Sequence, residues 1–503
     1  MFFELRADTD FTKNAAKLIF AFTIFRLIYI AFIPITPQEA YYWYYSLHPD
    51  FSYFDHPPVA AYSIWLGTHL FGDNFFGVKF MAVVWSALTM TVLYATAREF
   101  VNAFVKELNA DLVAFLSLLL YSLTIFGHLY AVTLVPDTPL LFFWILTVYF
   151  VQKVLITGNR KYWYAAGVAL GFGLTSKYTA IVLLGSVFFF FLFSKKYRRE
   201  IFTPYPYVAT LLAFVVFSPV IYWNAEHNWA SFLFQSVNRA EHDTHPLQTK
   251  YIVQLFFSQL FMLTPLIFVY FSKAIFRIIK NWRAFEKFHL LFWSAIVIIT
   301  GFTLVSLTSL VKMNWLLPGY LTLLIIIAAM FYDKFTKPTK AIKFGAYFSL
   351  FLIVTAYSIM LVPNVPLGEG NTWSGWEDAA QKIKEIQKEK GGAKECFLFA
   401  NSYKSASLLK FYLKDENQET YSANIFGGDG LQFGIWGVPD SLKGKNALYV
   451  FTDRREYKPQ LKKVAKYFDS LEKVAEFEYK FANKIHVRTI YCYYAQNYHG
   501  QNR

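Results

Sequence analysis

Eleven apolar stretches, each near the length that crosses a bilayer, run through residues 15–362 of this 503-residue chain. A spanning helix needs about 20 mostly apolar residues, and it satisfies every backbone N–H and C=O internally. The stretches are 15–35, 79–97, 112–133, 139–157, 162–176, 178–194, 206–223, 251–272, 288–308, 315–332 and 342–362. The fifth and sixth are short, and only Ser176-Lys177 separates them. Composition agrees. Charged residues make up 16% of the chain, against about 25% in a soluble domain. A water-soluble fold of this size could not hide the apolar surface of 55 Phe and 35 Tyr. Disorder, a collagen repeat and a disulfide-rich module are excluded on the same grounds. The expected fold class is a mostly α, polytopic membrane domain over 1–362, followed by a small α/β domain over 363–503.

Lysine and arginine set the expected orientation, because short cytoplasmic loops collect them. One set of loops carries Arg98 and Lys106, then Arg160 and Lys161, then Lys195, Lys196, Arg198 and Arg199. The same side continues with Lys273 to Lys287 and Lys334 to Lys343. The other set is nearly bare, with none from Thr36 to Val78 and none around Asp137. The N-terminus is therefore expected in the cytoplasm and the C-terminal domain on the outer face. The first apolar stretch runs into a polar-aromatic segment without a small-residue cleavage site, so no cleaved leader is expected. The net charge of +14 sits largely in these loops, and no basic, stacking groove for nucleic acid is present.

After about Pro363 the texture changes. Residues 364–370 read as a linker from their Pro, Gly and Asn content. Residues 376–390 read as an amphipathic helix, with Ala379, Ala380, Ile383 and Ile386 on one side. Short runs at 395–400 and 447–451 have strand length, and 458–468 is again helical in pattern. Cys396 and Cys492 are the only cysteines and would be free to pair outside the cytoplasm.

Three carboxylates stand out at the expected outer ends of helices. Glu39 lies in Thr36-Pro37-Gln38-Glu39, which also reads as a capping box. Asp55 opens Asp55-His56-Pro57-Pro58, which also reads as a turn. Asp137, in Pro136-Asp137-Thr138-Pro139, also reads as an N-cap. Together they offer a general base. Asp55 with His56 offers oxygen and imidazole ligands for a divalent cation. Lys177, Arg239 and Lys312 are the scarce cations on that side. They suit either snorkelling to lipid headgroups or a clamp on phosphate. No phosphate-binding glycine loop is present, so no nucleotide cofactor is expected. The aromatic run 41–45 suits an interfacial belt, and also stacking on a sugar.

At these residues the sequence resembles the dolichyl-phosphate-mannose–protein mannosyltransferase-like glycosyltransferases of the GT-C fold. Its GT83 branch, which includes aminoarabinose and galacturonic acid transferases of lipid A and core, is the most similar part. The resemblance rests on Glu39-Ala40-Tyr41-Tyr42-Trp43, Tyr53-Phe54-Asp55-His56-Pro57-Pro58 and Pro136-Asp137-Thr138-Pro139-Leu140. It continues through Thr175-Ser176-Lys177-Tyr178, Tyr222-Trp223-Asn224, Phe234-Gln235 and Asn314-Trp315-Leu316-Leu317-Pro318-Gly319-Tyr320. It covers residues 15–330 and follows the tail only in outline.

The resemblance implies a bacterial inner-membrane enzyme with a periplasmic C-terminal domain. It implies transfer of a sugar from a polyprenyl-phosphate carrier to a lipid A or core, glycolipid or protein acceptor. The family's acidic pair in the first outer loop is Gln38-Glu39 here, so one carboxylate is missing. Glu39, Asp55 or Asp137 then supplies the base, unless the chain is an inactive paralogue. Asp55 and His56 match the family's metal or donor-phosphate segment. Lys177, Arg239 and Lys312 correspond more loosely to phosphate contacts. The rival readings are a lipid or sugar-lipid transporter, marked by ionisable or broken helices at mid-membrane, and a scaffold that presents the C-terminal domain.

Overall fold

The computed structural model describes residues 10–238, 247–416, 418–454 and 460–501. They form two compact units. The first comprises residues 10–31, 50–52 and 56–357; the second comprises 32–49, 53–55 and 358–501.

The labelled helices are α1 (Phe11–Tyr29), α2 (Pro37–Leu47), α3 (Val59–Phe71), α4 (Phe75–Phe104), α5 (Ala110–Tyr121), α6 (Phe126–Val132) and α7 (Asp137–Thr157). They continue with α8 (Tyr162–Ser176), α9 (Ile181–Phe193), α10 (Tyr205–Glu226), α11 (Thr249–Lys280), α12 (His289–Val305), α13 (Leu317–Met330) and α14 (Lys340–Leu361). Capping side chains fix several starts. Asp10 Oδ1 accepts from Lys13 N at 2.9 Å, Asn74 Oδ1 from Gly77 N at 2.9 Å and Asn109 Oδ1 from Leu112 N at 2.9 Å.

All eleven apolar stretches fall on helices, but eleven spans do not follow. Among the described residues, six helices are long and apolar enough to cross a bilayer: α4, α7, α10, α11, α14 and the run Trp282–Val305. A seventh is the pair α5 and α6, if its 72° bend lies within one span. The difference has physical causes. α1 is long enough but carries Lys13, Lys17 and Arg26. α8 stops at Lys177, and the helical runs Tyr178–Phe193 and Leu317–Met330 are short of a full crossing. α11 is itself broken where Thr264, before Pro265, takes a φ of 62°.

Close crossings hold the first unit together. A Cβ on Gly167 in α8 would lie 2.2 Å from the Ala209 carbonyl oxygen of α10, so only glycine allows these backbones to meet. Arg26 is buried in α1. It donates to Ser86 of α4 at 2.9 Å and to the Gly127 carbonyl of α6 at 2.9 Å, which ties α1, α4 and α6 together.

The second unit adds α15 (Trp376–Glu389), α16 (Tyr403–Tyr412) and a five-stranded sheet. Its strands are β1 (Cys396–Ala400), β2 (Thr420–Tyr421), β3 (Asn446–Thr452), β4 (Ser470–Phe481) and β5 (Ile485–Gln496), in the order β2-β1-β3-β5-β4. The first three are parallel, and β5 runs antiparallel to both β3 and β4. β1 is buried throughout, as its unbroken apolar run requires. α15 buries Ala379, Ala380 and Ile383, the face expected from its period. In place of a full helix at 458–468, the described part shows short turns at Leu461–Val464 and Ala465–Tyr467. Cys396 and Cys492 are both free and buried. β3 lies between their strands, which keeps the Cα atoms about 9–10 Å apart or more, beyond disulfide reach. Burial raises both thiol pKa values to about 12, so neither is a ready nucleophile.

Candidate active site

The sequence-derived residues divide between the two units. Asp137, Lys177, Lys312 and His56 lie in the first, and Glu39 and Asp55 in the second. Arg239 lies outside the described residues.

In the first unit, three interruptions of helix meet. α7 begins at Asp137 after Pro136, and Pro136 rather than Asp137 occupies the cap position. α8 ends at Lys177, whose backbone is extended at φ −159° and ψ 135°. Asn314 lies in the connection between α12 and α13. Lys177 Nζ donates to Asp137 Oδ1 at 2.6 Å, and Asn314 Nδ2 donates to Asp137 Oδ2 at 2.7 Å. The Lys177 and Asp137 side chains are only 7% and 5% exposed. Asp137 therefore does not serve as an N-cap, and Lys177 does not snorkel. Both carboxylate oxygens are committed, which suits Asp137 to hold a cation in place. The cluster sits at the ends of α7, α8 and α12 opposite the basic loops. Lys312 is exposed, two residues before Asn314.

In the second unit, α2 shapes the site. Its capping box forms as read: Thr36 N donates to Glu39 Oε2 at 3.0 Å, and Glu39 N donates to Thr36 Oγ1 at 3.3 Å. Thr36 Oγ1 also donates to Glu39 Oε2 at 2.9 Å, and Glu39 is fully buried.

Tyr41 and Tyr45, one helical turn apart, share a face of α2. Both hydroxyls donate to Asp55 Oδ1, from Tyr41 at 3.5 Å and more closely from Tyr45. Asp55 is 8% exposed. Burial, and then the Asp55 charge, hold both tyrosine pKa values well above the usual range, so both remain donors. Gln432 closes the arrangement: its N–H donates to Tyr41 Oη at 3.2 Å, and its Oε1 accepts from Phe54 N at 2.7 Å.

Tyr45 stacks on Tyr53 at 4.1 Å, and Tyr41 packs on Tyr403 at 4.5 Å. Residues 41–45 are thus buried in the second unit rather than spread as an interfacial belt. Nearby, Tyr44 donates to Glu419, and Lys410 Nζ reaches the other Glu419 oxygen at 3.3 Å.

Several participants were not marked out by the sequence reading. The period of four from Tyr41 to Tyr45 was available as a signal. Asn314 lies in a short polar break between apolar stretches, where nothing local sets it apart from its neighbours. Gln432 lies 377 residues from Asp55 and gave no signal. Asp55 and His56 are adjacent in sequence, but among the described residues no group of three or more His, Cys, Asp or Glu is placed to hold a metal.

Residues 55–223 match the family model of dolichyl-phosphate-mannose-protein mannosyltransferases. The chain is 22% identical over 333 residues to the lipid A galacturonosyltransferase RgtD of Rhizobium johnstonii, which covers 65% of this chain and 67% of that one. Its fold is similar to the crystal structure of ArnT from Cupriavidus metallidurans in the apo state, with a TM-score of 0.64, 13% identity and coverage of 96% and 98%. The same protein bound to undecaprenyl phosphate gives a TM-score of 0.64, 14% identity and coverage of 95% and 97%. The chain is thus similar to membrane glycosyltransferases in sequence, and its fold is ArnT-like.

Proposed function

We propose that this protein transfers a sugar from a polyprenyl-phosphate donor to a lipid A or core, glycolipid or protein acceptor at the outer face of the bacterial inner membrane. One observation carries the reading: the buried Asp137–Lys177–Asn314 cluster, built where helices break at the end of the bundle away from the basic loops. A buried lysine held by a carboxylate, which an amide fixes in turn, is suited to meet phosphate charge without reorganising. The named relative, a lipid A galacturonosyltransferase, favours a glycolipid acceptor.

In the reaction, the acceptor hydroxyl attacks the anomeric carbon and the carbon–oxygen bond to phosphate breaks with inversion. The hydroxyl proton passes to a carboxylate, and the polyprenyl phosphate leaves with the bonding pair. Asp55, oriented by Tyr41 and Tyr45, suits the base, with Glu39 as the second candidate. Asp137 acts as a positioning residue for Lys177. In the first unit Lys177 and Lys312, with Arg239 outside the described residues, are the candidate cations for the leaving phosphate. Were a divalent cation required, Asp55 and His56 would be the residues to hold it, and it would supply that charge instead. Chelation separates the two: a slowed reaction favours the cation, and an unchanged rate favours Lys and Arg.

The transporter reading has one feature in its favour, the bent α5–α6 pair beside buried Arg26. Arg26 is, however, occupied in bonds to Ser86 of α4 and to the Gly127 carbonyl of α6. The deciding experiment uses Asp55→Asn, Glu39→Gln and Asp137→Asn in purified protein with a polyprenyl-phosphate sugar donor. Transfer is expected to fall at least about 100-fold for the base variant. Normal transfer by all three folded variants would remove the proposal.

A further inference from the structure

Between α7, α8, α9 and α10 lies an apolar slot of about 100 Å³ that the proposed chemistry does not use. Val151, Ala166, Leu170, Val187, Phe191 and Ala209 form its walls. The close α8–α10 contact at Gly167 forms part of the same wall. Phe188 and Tyr207 line the slot while remaining 49% and 60% exposed, so it opens on the outer surface of the helices. A dry apolar cavity does not take water, and left empty it forfeits dispersion contacts along its walls. Open to hydrocarbon, it accepts a lipid chain.

One end of the slot is polar and strongly basic. Trp163 and Ile201, which line it, adjoin the loops after α7 and α9. Trp163 Nε1 donates to Glu200 Oε1 at 3.2 Å. Arg160 donates to both Glu200 oxygens, from Nε at 3.2 Å and from Nη2 at 3.3 Å. These bonds tie the two loops together at the mouth. Around that tie stand Arg160, Lys161, Lys195, Lys196, Arg198 and Arg199, with Glu200 the sole acidic residue of the two loops. Glu200 is already paired with Arg160, and Arg198 Nε donates to the Leu192 carbonyl at 3.0 Å. Lys161, Lys195, Lys196 and Arg199 are exposed.

We propose that this slot and its basic collar bind an anionic phospholipid, with one acyl chain between α7 and α10 and the phosphate headgroup among the lysines and arginines. Charge complementarity selects the occupant. A zwitterionic lipid fills the slot but gains little from the collar, and free phosphate meets the collar without the slot. Basic pockets between membrane helices on the positively charged side are suited to such headgroups. The site is separate from the transferase reading and stands without it.

The test is native mass spectrometry of the full-length protein released from bilayers of equal phosphatidylglycerol and phosphatidylcholine. Retained lipid is expected to favour phosphatidylglycerol about tenfold, and millimolar inorganic phosphate should not displace it. Combined Lys161→Gln, Lys195→Gln, Lys196→Gln and Arg199→Gln should keep a lipid but lose that preference. Leu184→Trp fills the slot and should lose the retained lipid, with Thr210→Phe as the second filling variant if the first does not fold. The proposal is overturned by equal retention of the two lipids in the wild type. It is also overturned by an unchanged preference in the four-site variant, by displacement by phosphate, or by full lipid retention in a folded slot-filling variant.

Discussion

The Lys177–Asp137 pair concentrates charge where little water reaches, so its two halves depend on each other. Removing one partner of a buried pair strands the other charge, at about 3–5 kcal/mol, whereas removing both is far milder. Lys177→Met should therefore destabilise the protein by about 3 kcal/mol. Adding Asp137→Asn should recover much of that loss. Thermal unfolding in detergent reads both, and a double variant no more stable than the single would show that the pair is not coupled. The hydroxyl of Tyr45 makes a different prediction. A hydrogen bond to a charged group contributes about 1.5–3 kcal/mol, and about 1.4 kcal/mol is tenfold in rate. Tyr45→Phe should lower turnover about tenfold or more with the folded structure kept, and unchanged kcat would remove Asp55 from the chemistry. At this scale the sequence marked the carboxylates but not their partners. Asp137 carries the same local signal whether it caps a helix or pairs with a lysine, because the cap pattern is local and Lys177 is 40 residues away.

Among elements, the α8–α10 crossing sets how closely the first unit packs. Gly167→Ala would place a Cβ 2.2 Å from the Ala209 carbonyl oxygen and must push two backbones apart. Overpacking of this kind costs about 1–3 kcal/mol. Gly185→Ala in α9 meets nothing within 4 Å and should be neutral or slightly stabilising, since Ala favours a helix over Gly. Thermal unfolding of the two variants side by side checks this, and equal loss would assign the cost to helix propensity rather than to the crossing. The contrast shows what a sequence can and cannot give. Apolar runs located the labelled helices of the first unit except α3 (Val59–Phe71), which none of the eleven stretches covers. They did not locate the stops. Lys177 and Thr264 end or break helices for tertiary reasons, Lys177 to reach Asp137 and Thr264 to donate to the Leu123 carbonyl at 2.9 Å. Counting apolar runs therefore does not give the number of helices long enough to cross, which is six or seven among the described residues.

For the whole molecule, the informative feature is that the second unit is discontinuous in sequence. Composition placed its start near 363, and the chain from Ser358 onward belongs to it. The segments Phe32–Pro49 and Tyr53–Asp55 belong to it as well, which no compositional shift could reveal, because α2 is as aromatic as the membrane helices around it. The dependence is physical. Trp43 packs edge-on against Phe411 at 5.0 Å, Tyr41 lies on Tyr403, and Tyr44 Oη accepts from Thr420 N at 3.3 Å. Without α2 these surfaces of α16 and β2 face water, and aromatic contacts of about 0.5–1.5 kcal/mol each are lost beyond the area they bury. A fragment of residues 358–503 should therefore be poorly folded, with broad amide resonances and low yield. A fusion that restores residues 32–55 through a flexible linker should recover dispersed resonances and a cooperative unfolding transition. If the shorter fragment folds as well as the fusion, the first loop is only a neighbour of the C-terminal domain. If the fusion alone folds, the loop that carries Glu39 and Asp55 is part of that domain's core. The candidate base is then held by the second unit rather than by the helices α1 and α3 on either side of it in the sequence.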